Sequence, residues 1–247
     1  MTDSTPPVNF SGQTTAPLRN VSLCNGALEA ALHRPAHLPG LVAFYGPSGY
    51  GKSTAAAYVA NRHRAYYVEC KSTWTKKFLL LSILTEMGIT PAKTIPEMAA
   101  QISEQLALSQ RPLIIDEMDH IVTKKATEVI RDIYEGSGAA ILLVGEETMP
   151  AKLREWERFH NRMLKWVQAQ PSDLDDARAL AKMFCREVEI ADDLLQRIVE
   201  VSRGVARRIC INLELVRQEI LTQGLDRMTL ADCRCTLYSG DAPARRA

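Results

Sequence analysis

A net charge of +1 over 247 residues denies this chain any global basic field, so nucleic acid can be held only through a local patch or after assembly. Long hydrophobic runs are also missing. Stretches such as Leu79–Leu81 and Ile141–Val144 fall far short of the roughly 20 residues needed to span a bilayer. No apolar signal core stands at the start: Met1 to Asn20 is rich in Thr, Pro and Ser, which predicts a flexible tail rather than a secretion signal. The expected location is therefore the cytoplasm, without a membrane partner. The six cysteines contain no C-x-x-C pair, and no His stands at ligand spacing from Cys233 and Cys235. Reduced thiols serving as small apolar or surface groups are expected.

What is present is an alternation of short apolar runs and helical patterns. Leu41 to Tyr45 is a continuous apolar run entering a Gly-rich turn, as a buried parallel strand should be. Tyr66–Cys70, Leu113–Ile115, Ala139–Val144 and Met163–Val167 are further strand candidates. The segments between them carry helical spacing, and Thr94-Ile95-Pro96-Glu97 supplies a capping box with an early Pro. From Ser172 onward the pattern predicts helices alone, over Leu174–Arg186, Asp192–Val201, Val205–Gln223 and Leu230–Tyr238, with Asp173 and Thr229 as caps. The expected architecture is an α/β domain over residues 21–170, its parallel sheet flanked by helices, then an all-helical lid over 171–239. Short tails, 1–20 and 240–247, flank them.

Two motifs carry chemistry. Gly46-Pro47-Ser48-Gly49-Tyr50-Gly51-Lys52-Ser53 fits G-x-x-x-x-G-K-S between a strand and a helix, the context that gives this pattern its meaning. Its glycines let backbone N–H groups turn inward around a phosphate, and the helix N-terminus adds its positive end. Lys52 is expected at the β- and γ-phosphates of ATP, and Ser53 at Mg²⁺. Downstream, Leu113-Ile114-Ile115 delivers Asp116 and Glu117 to the carboxyl edge of the sheet. Asp116 then holds Mg²⁺ through water, and Glu117 orients and deprotonates the attacking water. His120 reads as a structural neighbour.

These motifs, with the helical end, resemble the AAA+ ATPases over roughly Val21 to Tyr238. The resemblance implies a polar sensor after the strand Ile141–Gly145, where this chain has Glu146 and Glu147. It implies that Arg207, in Gly204-Val205-Ala206-Arg207-Arg208, reaches back over the nucleotide. It also places an arginine finger, supplied to a neighbouring subunit, in Arg158-Phe159-His160-Asn161-Arg162, with Arg162 favoured over Arg158. Each of Arg158, Arg162 and Arg208 can equally be solvated surface charge.

Within that superfamily the layout resembles the DNA-transposition ATPases of Mu-like phages and bacterial transposons. That likeness implies a homo-oligomer, filament or ring, formed with ATP on double-stranded DNA, and a transposase as protein partner. It aims Lys71, Thr73, Thr75, Lys76 and Lys77, after the second strand, at DNA phosphates, with Lys124 and Lys125 as a secondary patch. Lysines and hydroxyls bind phosphates without reading bases. The alternative for this stretch is a solvated helix start with Trp74 packed in the core. An AAA+ ATPase acting on a protein partner alone would be a secretion ATPase, ordinarily with a membrane span, or a loader, ordinarily with a winged helix after the lid.

Overall fold

The computed structural model describes residues 16–122 and 126–241. Most of the predicted tails, and Lys124 with Lys125, lie outside the described residues. Helix α1 (Arg19–Leu32) precedes β1 (Leu41–Tyr45), α2 (Lys52–His63), β2 (Tyr66–Glu69), α3 (Lys76–Glu86) and α4 (Ile95–Ser109). Next come β3 (Leu113–Asp116), α5 (Asp119–Val122), α6 (Thr127–Ser137), β4 (Ile141–Gly145), α7 (Met149–Arg154), α8 (Glu157–His160) and β5 (Met163–Gln168). The remaining elements are α9 (Leu174–Phe184), β6 (Glu189–Ile190), α10 (Asp192–Ser202), α11 (Ala206–Gln223) and β7 (Arg227–Met228).

Five strands form one parallel sheet in the order β2-β3-β4-β1-β5. The chain leaves β1 for the far edge, works back through β3 and β4, and ends beside β1. All carboxyl ends therefore share one edge, where such sheets bind ligands. The strands separate two cores, because successive side chains point to opposite faces. Val42, Phe44, Ile114, Leu142 and Val144 face the core shared with α1, α2 and the C-terminal helices. Leu41, Ala43, Leu113, Ile115, Ile141 and Leu143 face the core under α3, α4 and α6. With both faces covered, the strands read as unbroken apolar runs.

Local rules account for the helices. Thr94 and Glu97 complete the predicted capping box, and Met98, Ile102 and Leu106 lie four residues apart, fully buried. Each such side chain contributes about 1.5–3 kcal/mol of burial. Thr75 caps α3 by accepting from the Phe78 N–H at 3.3 Å, and Asp173 caps α9 by accepting from Asp176. Both caps suit their types: a short side-chain oxygen reaches an N–H that the helix leaves orphaned.

Three expectations fail. The tail set at 1–20 stops short of that bound, since Arg19 and Asn20 open α1 and Asn20 is buried. Residues 230–238 are not a helix: the Arg234 and Cys235 N–H groups donate to the Glu219 carboxylate at 3.0 and 2.9 Å rather than to carbonyls one turn back. Thr229 does begin a turn, its hydroxyl donating to Asp232 at 2.6 Å, but no helix follows. Nor is the C-terminal region free of strands, since β6 and β7 pair in parallel. Two-residue strands are too short to leave a periodic signal.

Candidate nucleotide site

The phosphate loop starts where β1 ends. The Gly46 N–H donates to Gly145 O at 3.3 Å, tying the loop to the end of β4. A side chain on Gly46 would sit 2.9 Å from Ala169 Cβ, so the backbones of β1 and β5 close on the loop only because residue 46 has none. Gly51, at φ 78°, is the N-cap of α2 in left-handed backbone that a β-carbon resists. The first helical bond runs from Ala55 N–H to Gly51 O at 2.9 Å. The N–H groups of Lys52, Ser53 and Thr54 are thus without helical acceptors, and point where an anion would lie.

Lys52 folds over this cradle, its Nζ donating to Gly46 O at 2.8 Å and Pro47 O at 2.9 Å. Burial lowers its pKa, while Glu117, Asp116, Glu146 and Asp119, in that order, oppose the shift. Four carboxylates thus lie within electrostatic reach of one lysine. Asp116, at the end of β3, is 1% exposed. Its Oδ2 accepts from the Tyr67 hydroxyl at 2.8 Å and its Oδ1 from the Glu117 N–H at 2.8 Å. Those bonds pin the carboxylate in one orientation, and burial first, then the Asp116 charge and its hydrogen bond, raise the Tyr67 pKa. Buried carboxylate oxygen, the exposed Ser53 hydroxyl and excess negative charge suit a hard divalent cation such as Mg²⁺.

Glu117 adopts φ 53°, uncommon for a residue with a long side chain and costing about 1–3 kcal/mol where the fold imposes it. Its carboxyl is half exposed, and its pKa is raised by burial first and Asp116 second. His120 Nε2 stands 3.9 Å from Glu117 Oε2, a neighbour at the limit of an ion pair.

Asp119 is buried, pairs with Lys152 at 2.9 Å and accepts from the Glu146 N–H. A β-carbon on Gly145 would fall 2.3 Å from Asp119 Oδ2. The segment after β3 therefore reaches past Asp116 and Glu117 to hold the end of β4. Glu146 keeps its side chain exposed there.

The C-terminal helices close on the loop. The Arg207 N–H donates to Gly49 O at 3.2 Å, and a β-carbon on Gly49 would lie 2.8 Å from Val205 Cγ1. The Arg207 side chain remains exposed beside the loop. Asn20 joins three segments: its Nδ2 donates to Tyr50 O at 2.9 Å and Gln170 O at 2.8 Å, and its Oδ1 accepts from Gln170 N at 2.8 Å.

Arg162 stands elsewhere. Its carbonyl accepts from Leu41 N–H, at the amino end of β1. The strand between that point and the phosphate loop spans roughly 13 Å, so Arg162 does not meet its own chain's loop. It pairs with Glu135 at 2.8 Å and lines a cavity of about 320 Å³ with Arg131, Arg158 and Asn161. The Lys71–Lys77 stretch lies past the carboxyl end of β2. Lys71, Thr73, Thr75 and Lys77 are exposed and Lys76 half-buried. Lys71 is paired with Glu69 at 2.6 Å.

Tyr67, Asn20 and Lys152 escape a reading of the sequence. A tyrosine on a strand signals packing, and its bond to Asp116 exists only because β2 pairs with β3. Tyr67→Phe is expected to lower stability by about 1.5–3 kcal/mol in urea unfolding, the value of a bond to a charged acceptor. A loss below about 0.5 kcal/mol would show that Asp116 does not depend on it.

Residues 36–153 match a family model described as AAA domain. No curated protein matches. Among solved structures, the Aeropyrum pernix ORC2 protein in its ADP form superposes with TM-score 0.68 at 16% identity, over 89% of this chain and 68% of that one. The Aeropyrum pernix ORC1 protein in complex with DNA gives 0.61 at 15%, over 85% and 61%. The Thermotoga maritima RuvB Holliday junction branch migration motor gives 0.57 at 22%, over 86% and 65%. The chain spans about two thirds of the length of these structures, and at such identities the likeness is one of fold. No described helix is long and apolar enough to cross a membrane.

Proposed function

We propose that this ATPase, with its AAA domain on the AAA+ P-loop fold, assembles with ATP on duplex DNA, as a filament or ring, and brings a transposase to it. Binding of ATP begins at the loop, whose inward N–H groups and Lys52 take the β- and γ-phosphates. Ser53 and Asp116 would hold Mg²⁺, which would supply charge neutralisation for the phosphates. Tyr67 fixes the Asp116 carboxylate for that task. Glu117 accepts a proton from the water that attacks the γ-phosphorus, the bond to the β-phosphate oxygen breaks, and ADP and phosphate leave. Arg207 covers the nucleotide from the C-terminal side, and Arg162 reaches the γ-phosphate of the neighbouring subunit.

The observation that carries the DNA reading is the run Lys71 to Lys77 beside the nucleotide edge. Exposed lysines and threonines surround the Trp74–Phe78 ring pair, whose centroids are 5.1 Å apart, and Phe78 is 49% exposed. Three lysines per subunit bind weakly alone; repetition along a filament multiplies them, which reconciles DNA binding with a net charge of +1. The transposase rests on the resemblance to the transposition ATPases. A second reading, an ATPase acting on a protein partner without DNA, has its own support in α11, where Ile211 and Leu215 lie one turn apart and are 40% and 36% exposed.

Sedimentation with duplex DNA, with and without ATP, tests the proposal. ATP-dependent assembly on DNA is expected. Replacing Lys76 and Lys77 together by Ala should leave ATP affinity unchanged and flatten the salt dependence of DNA binding by about two logarithmic units per decade. DNA affinity that survives this double substitution at moderate salt would remove the DNA face and leave the protein-partner reading.

A further inference from the structure

Beyond α11 the chain turns at Gly224, forms β7 and runs back along the helix it has just left. Along this return Cys233, Cys235 and Leu237 face inward and pack against the core, while Arg234 and Thr236 face solvent. The two thiols meet, Sγ to Sγ, at 3.4 Å. They do so over the Glu219 carboxylate, which receives the Arg234 N–H at 3.0 Å, the Cys235 N–H at 2.9 Å and the Cys233 thiol at 3.7 Å. One carboxylate oxygen and both sulfurs lie within 4.8 Å of one another, and all three residues are half-buried. Neither the nucleotide nor the DNA reading uses this cluster.

From this geometry we infer that Glu219, Cys233 and Cys235 form a binding site for a thiophilic divalent cation, Zn²⁺ in the cell. Two sulfurs and one carboxylate select zinc or cadmium over the hard Mg²⁺ of the nucleotide site. Tetrahedral zinc with Zn–S bonds of about 2.3 Å separates its sulfurs by about 3.8 Å, so the thiols need move apart by only a few tenths of an ångström. A fourth position stays open to water. Binding exchanges protons for metal: the cation takes two thiolates and the carboxylate, and both thiol protons pass to solvent. A free thiol is protonated at neutral pH, so that release is measurable. Backbone bonds from Arg234 and Cys235 hold Glu219 in place, as partners beyond the ligands do in metal sites.

The site would fasten the return segment to α11. Farther along, Tyr238 exchanges two hydrogen bonds with Asn212, which is fully buried and bonded to Ser202. Gly240 then packs on the Arg208 guanidinium. The strap thus runs from the cysteine pair to the end of α11 that meets the phosphate loop.

Titration of the reduced 247-residue chain with Cd²⁺ alone, without nucleotide, is the test. One equivalent should bind, with thiolate-to-cadmium charge-transfer absorption and release of about two protons per ion. Cys233→Ser and Cys235→Ser should each weaken binding more than about 100-fold, Glu219→Gln about 10- to 100-fold, and Cys210→Ser not at all. Absence of the band in the parent chain, or a band that persists in Cys233→Ser and Cys235→Ser, would overturn the site. If the serine variants fail to fold, the parent band, its proton count and the Glu219→Gln variant still decide. A parent chain 2 Da light under these reducing conditions, taking up no cadmium, would identify a disulfide instead and overturn the metal assignment too.

Discussion

Arg162→Ala should bind ATP as tightly as the parent chain and hydrolyse it about 10³–10⁵-fold more slowly once assembled, the effect of removing an arginine finger. The reasoning is positional. Arg162 sits at the amino end of β1 and the phosphate loop at the carboxyl end, so the guanidinium serves a nucleotide held by another copy or none at all. Its Glu135 partner is 42% exposed, a weak tie that a γ-phosphate can displace. Subunit mixing separates a finger from a merely structural arginine. Lys52→Ala chains lose their own nucleotide but keep Arg162, and adding them to Arg162→Ala chains should restore turnover. If mixing restores nothing while Arg158→Ala alone is inactive, the finger is Arg158. Undiminished turnover in Arg162→Ala would end the proposal for that residue.

Glu117→Gln should reduce turnover about 10²- to 10⁴-fold while leaving ATP affinity near that of the parent. The amide keeps the side chain's volume and its imposed φ of 53°, so the backbone that presents it is unchanged. What it loses is the capacity to accept the water's proton. ATP held but not cleaved should trap the assembled state, seen as DNA-bound protein that persists after free ATP is removed. Single-turnover cleavage at the parent rate would take the base role from Glu117.

The phosphate loop and the Asp116-Glu117 pair were legible because each is a contiguous motif whose chemistry depends on local backbone. The strands were legible because a sheet covered on both faces writes itself as apolar runs, Leu41–Tyr45 and Leu113–Ile115 among them. Their spatial order was not, since nothing in β2 announces β3 as its neighbour, and Tyr67 at Asp116 follows from that order alone. Residues 230–238 carry a helical pattern and form no helix for a related reason. The Glu219 carboxylate that takes their N–H groups is close only after α11 has folded. The same event brings Cys233 and Cys235 to a third ligand, whereas the sequence shows two cysteines one residue apart without a histidine.

Asn20 couples mechanics to chemistry. Its single amide holds the carbonyl of Tyr50 in the phosphate loop and both backbone groups of Gln170, while the neighbouring Arg19 N–H donates to Asp176 at 2.8 Å. Of these four hydrogen bonds the one to Tyr50 enters the phosphate loop directly, and Ala16 and Leu18, just ahead of α1, are packed in the core beside it. A displacement of the first turn of α1 is therefore a short lever on the phosphate loop.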